Sequence, residues 1–317
     1  MAGPRWRLLR LVVALVLLSA PRVLPGTWQV LRVDSVEVFF QPSDASNAKR
    51  IARHLSLDGL PISDELGLHR LPRAVIFLAP DKASFDTLAA ADLPRWTAAV
   101  AVPRLRRIVL KSPRWNRQGE LVTELLHELT HVMAAEAVGD KPIPRWFDEG
   151  LALYFSRDVR YANSRALSRA ILTRSLLDLD EVDEVLRFHQ AKAELAYQES
   201  LEAVRYLVEN FGPGSIPDLL EQVKGGYPFP TAFWRATGTP YRLFKARLFQ
   251  YWHRRHRWDF LVDVLYVGWG AVVVLAVVVF VVIRRRNRRR LQKWEEEEQS
   301  ASFDTWIPDG TGEGEPD

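Results

Sequence analysis

The chain has 317 residues, of which 48% are hydrophobic and 26% charged, a balance that favours a folded protein and excludes a wholly disordered one. It contains no cysteine, which excludes disulfide bonds, zinc fingers, iron–sulfur clusters and thiol catalysis. The net charge is +4, but no nucleic-acid-binding motif accompanies the basic residues, so we expect no nucleic-acid partner.

The N-terminal segment has the pattern of a secretory signal. Arg5, Arg7 and Arg10 precede a short apolar run at residues 11–20, which is too short to cross a bilayer as a helix. A clear A-x-A cleavage site is missing, because a proline follows the last alanine of the run. We therefore assign residues 1–26 to a signal peptide, with a retained signal anchor as the alternative.

Short β-rich segments come first in the chain, and helical patterns follow. Strands are predicted, from alternating or short apolar runs, at residues 30–40, 74–78, 97–102 and 107–111. Helices are predicted, from apolar spacing and from Gly and Pro breaks, at residues 45–55, 81–90, 120–138, 144–155, 160–190, 193–211 and 215–224. This order indicates an α+β fold, which we place in one domain at residues 27–258.

The helix predicted at residues 120–138 contains the motif H-E-L-T-H, from His127 to His131. Two histidines four positions apart lie one turn apart on a helix, so both imidazoles can meet one metal ion. Glu128 lies beside the first histidine and can reach a metal-bound water. The motif therefore predicts a metal site with a carboxylate within reach of a metal-bound water.

A third ligand is expected from the following helix, because a catalytic zinc takes three protein ligands and keeps one position open. Glu149 lies in the segment W-F-D-E-G-L-A, 18 positions after His131. A turn between the two helices can bring its carboxylate back to the metal, and Gly150 would let the two helices approach closely. The alternative is an ordinary glutamate near a helix start, stabilised by the helix dipole.

A second apolar segment lies near the C-terminus. Residues 264–283 carry no charge and are long enough to cross a bilayer as a helix; the alternative is a buried core helix. Six arginines between positions 284 and 290 follow and predict a cytoplasmic C-terminus, although basic residues also precede the segment. We expect residues 284–317 to form a basic flank and an acidic, disordered cytoplasmic tail. Residues 27–258 would then be extracytoplasmic, either periplasmic or extracellular.

The two motifs together resemble the gluzincin group of zinc metallopeptidases, the peptidase-MA-like family. The resemblance implies that His127, His131 and Glu149 bind Zn²⁺, that Glu128 is the general base, and that the substrate is a peptide or protein. It also implies a mixed β-sheet before the helices that carry the zinc site. The segment at residues 196–212 resembles a later helix of these domains, and the resemblance covers about residues 30–250.

Two departures from the family pattern affect the prediction. The G-A-M-E-N motif of exopeptidase gluzincins is missing, so we favour an endopeptidase over an aminopeptidase. The aspartate that some relatives carry four positions after the third ligand is replaced by Leu153. The carboxylate that orients a histidine ligand is therefore left open.

The oxyanion formed during peptide hydrolysis needs a hydrogen-bond donor besides zinc, and a tyrosine serves this purpose in the family. Tyr197 is our first candidate, because it lies on the family-like later helix, and Tyr154 and Tyr206 come after it. The alternative for each is a tyrosine of the core or the surface. The strand at Arg107–Lys111 is expected either as an edge strand that pairs with the substrate or as a plain strand.

The function predicted from the sequence is a membrane-anchored peptidase that hydrolyses peptide bonds through a zinc-activated water. Arg104, Arg106 and Arg107 would favour an acidic substrate, or they form a solvated face. One rival function is a catalytically silent binding or scaffold module of the cell envelope. Another is a membrane assembly component whose tail recruits partners.

Overall fold

The computed structural model describes residues 28–89, 97–116, 120–161, 165–182, 190–256 and 259–304. The predicted signal segment at residues 1–26 lies outside these residues. The chain divides into two units, with the boundary after Arg257. The first unit contains the strands and most of the helices, and the second unit contains a single long helix.

Five strands form one mixed sheet. They are β1 (Gln29–Val33), β2 (Val36–Phe40), β3 (Ala74–Ala79), β4 (Ala99–Val102) and β5 (Arg107–Lys111). The strand order is β1-β2-β3-β5-β4. Strands β2, β3 and β5 run parallel, whereas β1 and β4 are antiparallel to their neighbours. This arrangement agrees with the α+β fold and the mixed sheet that the family resemblance implied.

Of the two alternatives expected for Arg107–Lys111, the structure shows the plain strand and not the edge strand. That strand, β5, pairs with β3 on one side and with β4 on the other. A 3₁₀ turn at Pro103–Leu105 reverses the chain after β4, so that β5 returns between β4 and β3. The edge at this side of the sheet is β4.

Ten helices are described in the first unit. They are α1 (Ala45–His54), α2 (Leu60–Glu65), α3 (Lys82–Ala89), α4 (Leu121–Ala137), α5 (Arg145–Ser156), α6 (Arg165–Thr173), α7 (Gln190–Phe211), α8 (Ser215–Lys224), α9 (Phe229–Thr237) and α10 (Tyr241–Arg255). Helix α4 packs against the sheet, and α5 packs against both α4 and α7. The helices that carry the two motifs are therefore neighbours in the centre of the unit.

The sheet is covered on both faces because its side chains alternate. In β5, Ile108 and Leu110 belong to the large core, together with Leu125 and Leu129 of α4. Val109, between them, points to a smaller apolar cluster that includes residues of α3. Burial of one apolar stripe of α4 against the sheet leaves its other side free to face α5 and the site.

The second unit is one helix, α11 (Asp259–Asp304). Among the described residues, one stretch, Gly268–Glu298, is long and apolar enough to cross a membrane, with a mean hydropathy of 2.1 in its apolar window. The prediction of a disordered tail was wrong for residues 292–304, which continue the helix. Arg, Leu, Gln, Lys and Glu are good helix formers, and a helix that has already begun is easily extended. Residues 305–317 lie outside the described part of the chain.

Candidate metal centre

The first two candidate ligands lie on α4. The helix begins after Glu120, whose carboxylate accepts a hydrogen bond from the backbone N–H of Thr123 at 3.0 Å, an arrangement that satisfies a free donor of the first turn. The spacing of four residues brings the Nε2 atoms of His127 and His131 within 3.3 Å of each other. Both imidazoles therefore present the same nitrogen to one point in space.

Helix α5 brings Glu149 to that point. A Cβ atom added to Gly150 would lie 2.5 Å from the carbonyl oxygen of Ser200 and 2.6 Å from Cγ2 of Val204. Both of these residues belong to α7, so the close approach that the glycine permits is between α5 and α7, not between α5 and α4 as we expected. Glycine at this position sets how deeply α5 lies in the unit, and hence where Glu149 lies.

Three ligand atoms form a nearly equilateral triangle. Oε2 of Glu149 lies 3.5 Å from Nε2 of His127 and 3.6 Å from Nε2 of His131, and the two nitrogens are 3.3 Å apart. Two ligands bound tetrahedrally to zinc at their usual bond lengths lie about 3.3–3.5 Å apart. The three atoms therefore fit a small metal ion. Among the described residues, these three side chains form the group of His, Cys, Asp or Glu that could hold a metal.

Arg145 holds the other oxygen of Glu149. Its Nη2 donates to Oε1 at 2.6 Å, one helical turn earlier on α5, and leaves Oε2 directed at the histidines. Burial raises the pKa of Glu149, but His131, His127 and Arg145 outweigh burial and lower the pKa to about 2. Glu149 is thus a charged ligand in a site where its side chain is only 5% exposed.

Asp148 supplies the orienting carboxylate that the sequence left open at Leu153. Its Oδ1 lies 3.0 Å from Nδ1 of His131, close enough for a strong electrostatic contact but too bent for a strict hydrogen bond. Burial lowers the pKa of His131, whereas Asp148 and Glu149 together raise it to about 10. Concentrated negative charge of this kind stabilises a cation at the triangle.

Glu128 lies beside the triangle on α4 and is 9% exposed. Burial raises the pKa of Glu128, and the neighbouring carboxylates of Glu149 and Glu124 add to this effect, while the two histidines oppose it. The same helix therefore places a carboxyl group beside the ligands without making it a member of the triangle.

The three candidate tyrosines lie in three different environments. Burial raises the pKa of Tyr197 above its ordinary value, and Glu149 raises it further while Arg145 lowers it, so this residue lies at the candidate site. Tyr154 lines another cavity of about 510 Å³, which none of the three ligand residues lines. Tyr206 is buried in the core, where its ring centroid lies 4.8 Å from that of Tyr251.

Three residues of the site were missed in the sequence: Arg145, Asp148 and Tyr161. Arg145 lies four positions before Glu149, a spacing that predicts an ion pair on a helix. Asp148 carried no such signal, because its contact with His131 crosses between two helices. Tyr161 lies in a 3₁₀ turn after α5, and its ring centroid is 5.4 Å from that of Tyr197. No pattern in the sequence indicated this contact.

Two of the three arginines near β5, Arg106 and Arg107, contact other parts of the first unit. Arg106 forms an ion pair with Glu136 of α4. The guanidinium of Arg107 lies 5.9 Å from the centre of the Phe77 ring and donates to the carbonyl oxygen of Leu88. These contacts are structural, whereas Arg104 is exposed, and the choice between an acidic-substrate site and a solvated face stays a prediction.

No curated protein matches the chain. The sequence model described as the Peptidase MA superfamily matches residues 89–247, which is 159 of the 317 residues. The matched segment runs from the end of α3 into α10 and contains both motifs. Proteins of this superfamily are typically metal-dependent, in agreement with the His127–His131–Glu149 group. The chain therefore belongs to the Peptidase MA superfamily, and its general class is that of a peptidase.

Proposed function

We propose that the chain is a zinc-dependent peptidase anchored in a membrane, with His127, His131 and Glu149 as the zinc ligands. The observation that carries this proposal is the triangle of three ligand atoms with sides of 3.3, 3.5 and 3.6 Å. Two imidazoles and one carboxylate are a known ligand set of catalytic zinc, in which a fourth position stays open. Membership in a peptidase superfamily supports the same function.

In this proposal, Glu128 is the catalytic base. A zinc ion, when bound, polarises the scissile carbonyl group and the attacking water. Glu128 accepts a proton from that water and then delivers a proton to the nitrogen of the leaving amine. Its position directly after His127 places the carboxyl group beside the ligands, and its burial keeps bulk water from competing for the proton.

Tyr197 is the proposed donor to the oxyanion. Burial keeps the pKa of its phenol above the ordinary value, so the hydroxyl stays protonated at neutral pH and can donate a hydrogen bond as negative charge develops. Arg145 and Asp148 do not touch the substrate in this scheme. They hold Glu149 and His131 in place.

An extended substrate would bind along β4, the edge strand next to the site. On its other side β4 has no partner strand within the described sheet, so its backbone groups are available for pairing with a peptide. Such pairing does not require a free substrate amino terminus, and the chain lacks the G-A-M-E-N motif that would hold one. Both points favour an endopeptidase.

The second unit supports the membrane part of the proposal. The apolar part of α11 is followed by six arginines between positions 284 and 290, an excess of positive charge that is typical of a cytoplasmic flank. We place residues 264–283 in the membrane, residues 27–258 outside the cytoplasm, and residues 284–317 in the cytoplasm.

Metal analysis and cleavage assays on the full-length chain, purified in detergent, test the function. We expect one zinc per chain in the wild type and in Glu128→Gln, and none in His131→Ala. Glu128→Gln should lower kcat/KM on a quenched-fluorescent peptide library by about 10²–10⁴-fold, because it removes the base and leaves the ligands. Glu136→Gln is the matched control, since Glu136 lies on the same helix and pairs with Arg106.

Two results would contradict the proposal in different ways. A well-folded wild type that binds no zinc would exclude the metallopeptidase. Zinc binding without cleavage of any library peptide would favour the catalytically silent binding module.

A further inference from the structure

The 3₁₀ turn that follows α5 (Val159–Tyr161) carries an ion-pair network next to the site. Arg160 donates from Nε to both carboxylate oxygens of Asp158, at 3.0 and 2.9 Å. Its Nη2 donates to Oδ2 of Asp158 at 2.6 Å and to Oε1 of Glu124 at 2.8 Å. The side chain of Asp158 is only 2% exposed. A guanidinium held at several points in this way is fixed in direction as well as in place.

Glu124 connects this network to the metal helix. It lies on α4, one helical turn before Glu128. The backbone N–H of Arg160 also donates to Oδ1 of Asp158 at 2.9 Å, which closes the turn. Arg160, Asp158 and Glu124, which we call the latch, therefore tie the turn to the helix that carries the base and both histidines.

The latch contacts the ring of Tyr161, the residue that follows Arg160. The guanidinium carbon of Arg160 lies 5.9 Å from the centre of the Tyr161 ring. The Tyr161 ring in turn lies 5.4 Å from the ring of Tyr197, with the two planes inclined at 60°. Tyr161 thus lies between the latch and the residue that we proposed as the oxyanion donor.

The electrostatic surroundings of Tyr161 agree with this placement. Burial raises the pKa of Tyr161 to about 12, while Arg160 opposes the shift and Asp158, Glu124 and Glu149 add to it. The phenol therefore feels charges from the latch and from a ligand of the metal triangle, as expected for a side chain between the two.

We propose that Arg160 is a positioning residue, which holds Tyr161 against Tyr197 and so sets the direction of the Tyr197 hydroxyl. This inference rests on the proposed peptidase function, in which Tyr197 donates to the oxyanion. Arg160 does not touch the substrate in this account. It acts on the reaction through the rings of Tyr161 and Tyr197, by fixing the position of the Tyr197 hydroxyl. Small displacements of a catalytic group lower the reaction rate by large factors.

The first test needs no activity. The full-length chain in detergent is labelled at the ζ carbon of its eight tyrosines. The variants Tyr161→Phe, Tyr197→Phe and Tyr227→Phe assign the NMR signals of these three residues. We expect Arg160→Ala to shift the signals of both Tyr161 and Tyr197, in the metal-free and in the zinc-loaded chain, and to leave that of Tyr227 unchanged. Arg32→Ala is the matched control, because it breaks an exposed pair with Glu37.

The second test uses the peptide that the wild type cleaves best. We expect Arg160→Ala to lower kcat by about 10-fold with KM within about twofold, because misdirection of the donor weakens binding of the transition state rather than of the substrate. Arg160→Lys should not restore kcat, since a single ammonium cannot replace the fork of donors. Adding Tyr161→Ala to Arg160→Ala should change kcat by less than about twofold, because both act through the same contact.

Signals of Tyr161 and Tyr197 that do not move in Arg160→Ala would overturn the inference, as would fully additive effects of the two substitutions. A wild type that cleaves nothing would remove the proposed function. The NMR signals would then still decide whether the latch positions the two tyrosines, so the two failures are distinguishable.

Discussion

Neighbouring charges give different pKa values to the buried glutamates Glu128, Glu149 and Glu199. Burial raises the pKa of each, since it disfavours the charged form. At Glu149 two histidines and Arg145 reverse the effect and bring the pKa to about 2. At Glu199 the N–H of Leu177 opposes burial only in part, and Glu181 and Asp178 reinforce burial, so that the pKa rises to about 8.

Glu199 makes the stability of the first unit depend on pH. Its Oε1 accepts a hydrogen bond from the N–H of Leu177 at 3.0 Å, and its Oε2 has no hydrogen-bond partner among the described residues. Between the ordinary pKa of 4.5 and the folded pKa of about 8, the folded state keeps a proton that the unfolded state has released. The free energy of unfolding therefore falls as pH rises through this window and is lowest above it.

We expect Glu199→Gln to flatten this dependence, because glutamine resembles the protonated acid. At pH 8.5 the variant should be more stable than the wild type by on the order of 2 kcal/mol, and at pH 4.5 or below the two should agree. Urea unfolding at both pH values measures the difference. Glu194→Gln, an exposed change on the same helix, is the control, and an equal gain at both pH values would contradict the titration of Glu199.

The residues of the site differ in how far the sequence predicted them. His127, Glu128 and His131 form a local motif, so the spacing on one helix suffices to bring them together. Glu149 required the added knowledge of a second motif. Tyr161 could not be found, because its place depends on Arg157, which ends α5 in a left-handed conformation with φ of 52° and directs the chain towards α7.

At the scale of elements, the contact between α5 and α7 is the most sensitive part of the metal centre. Gly150→Ala places a methyl group 2.5 Å from a backbone oxygen of α7, which cannot move without moving the helix. We expect a loss of about 1–3 kcal/mol in the free energy of unfolding and weaker zinc binding, because Glu149 adjoins the displaced residue. Urea unfolding and competition with a zinc chelator measure the two effects.

Gly214→Ala is the control for this change. Gly214 has φ of −61°, which alanine adopts freely, and an added Cβ atom would meet nothing within 4 Å. The variant should therefore match the wild type in stability and zinc affinity. A Gly150→Ala chain that also matched the wild type would show that α5 tolerates displacement and does not set the position of Glu149.

Element types were easier to predict from the sequence than element order. The strands at residues 74–78 and 107–111 were found from their apolar runs, but the strand at residues 107–111 is an interior strand only because the chain reverses at Pro103–Leu105. The helix expected at residues 160–190 is divided in the structure. Helix α6 ends at Thr173, and Arg174 follows with φ of 54°, a conformation that no local pattern indicated.

For the whole molecule, composition and order predicted the α+β fold and the apolar helix near the C-terminus. They did not predict how far that helix extends. The sequence beyond the apolar segment is highly charged, which suggested disorder, but the helix continues to Asp304. A high content of charged residues is therefore a poor predictor of disorder when those residues are also good helix formers.

The proposed topology makes a prediction about which side of a membrane each unit faces. The chain has no cysteine, so a single introduced cysteine can be labelled without background. Ser43 lies in the first unit and Glu298 follows the arginine run, and both are exposed. In intact cells that express the full-length chain, a membrane-impermeant maleimide should label Ser43→Cys and should not reach Glu298→Cys until the membrane is opened.

The apolar segment of α11 is tested in the same cells. We expect the wild type to stay in the membrane fraction after an alkaline carbonate wash. Replacement of Val274 and Val278 by arginine should release it, since each charge near the centre of a span opposes insertion by about 2.5–3.5 kcal/mol.

Labelling of Glu298→Cys alone in intact cells would reverse the topology and place the metal centre in the cytoplasm. Labelling of both positions in a chain that the carbonate wash releases would remove the membrane anchor from the proposal and leave the metal centre to be judged by zinc binding and cleavage alone.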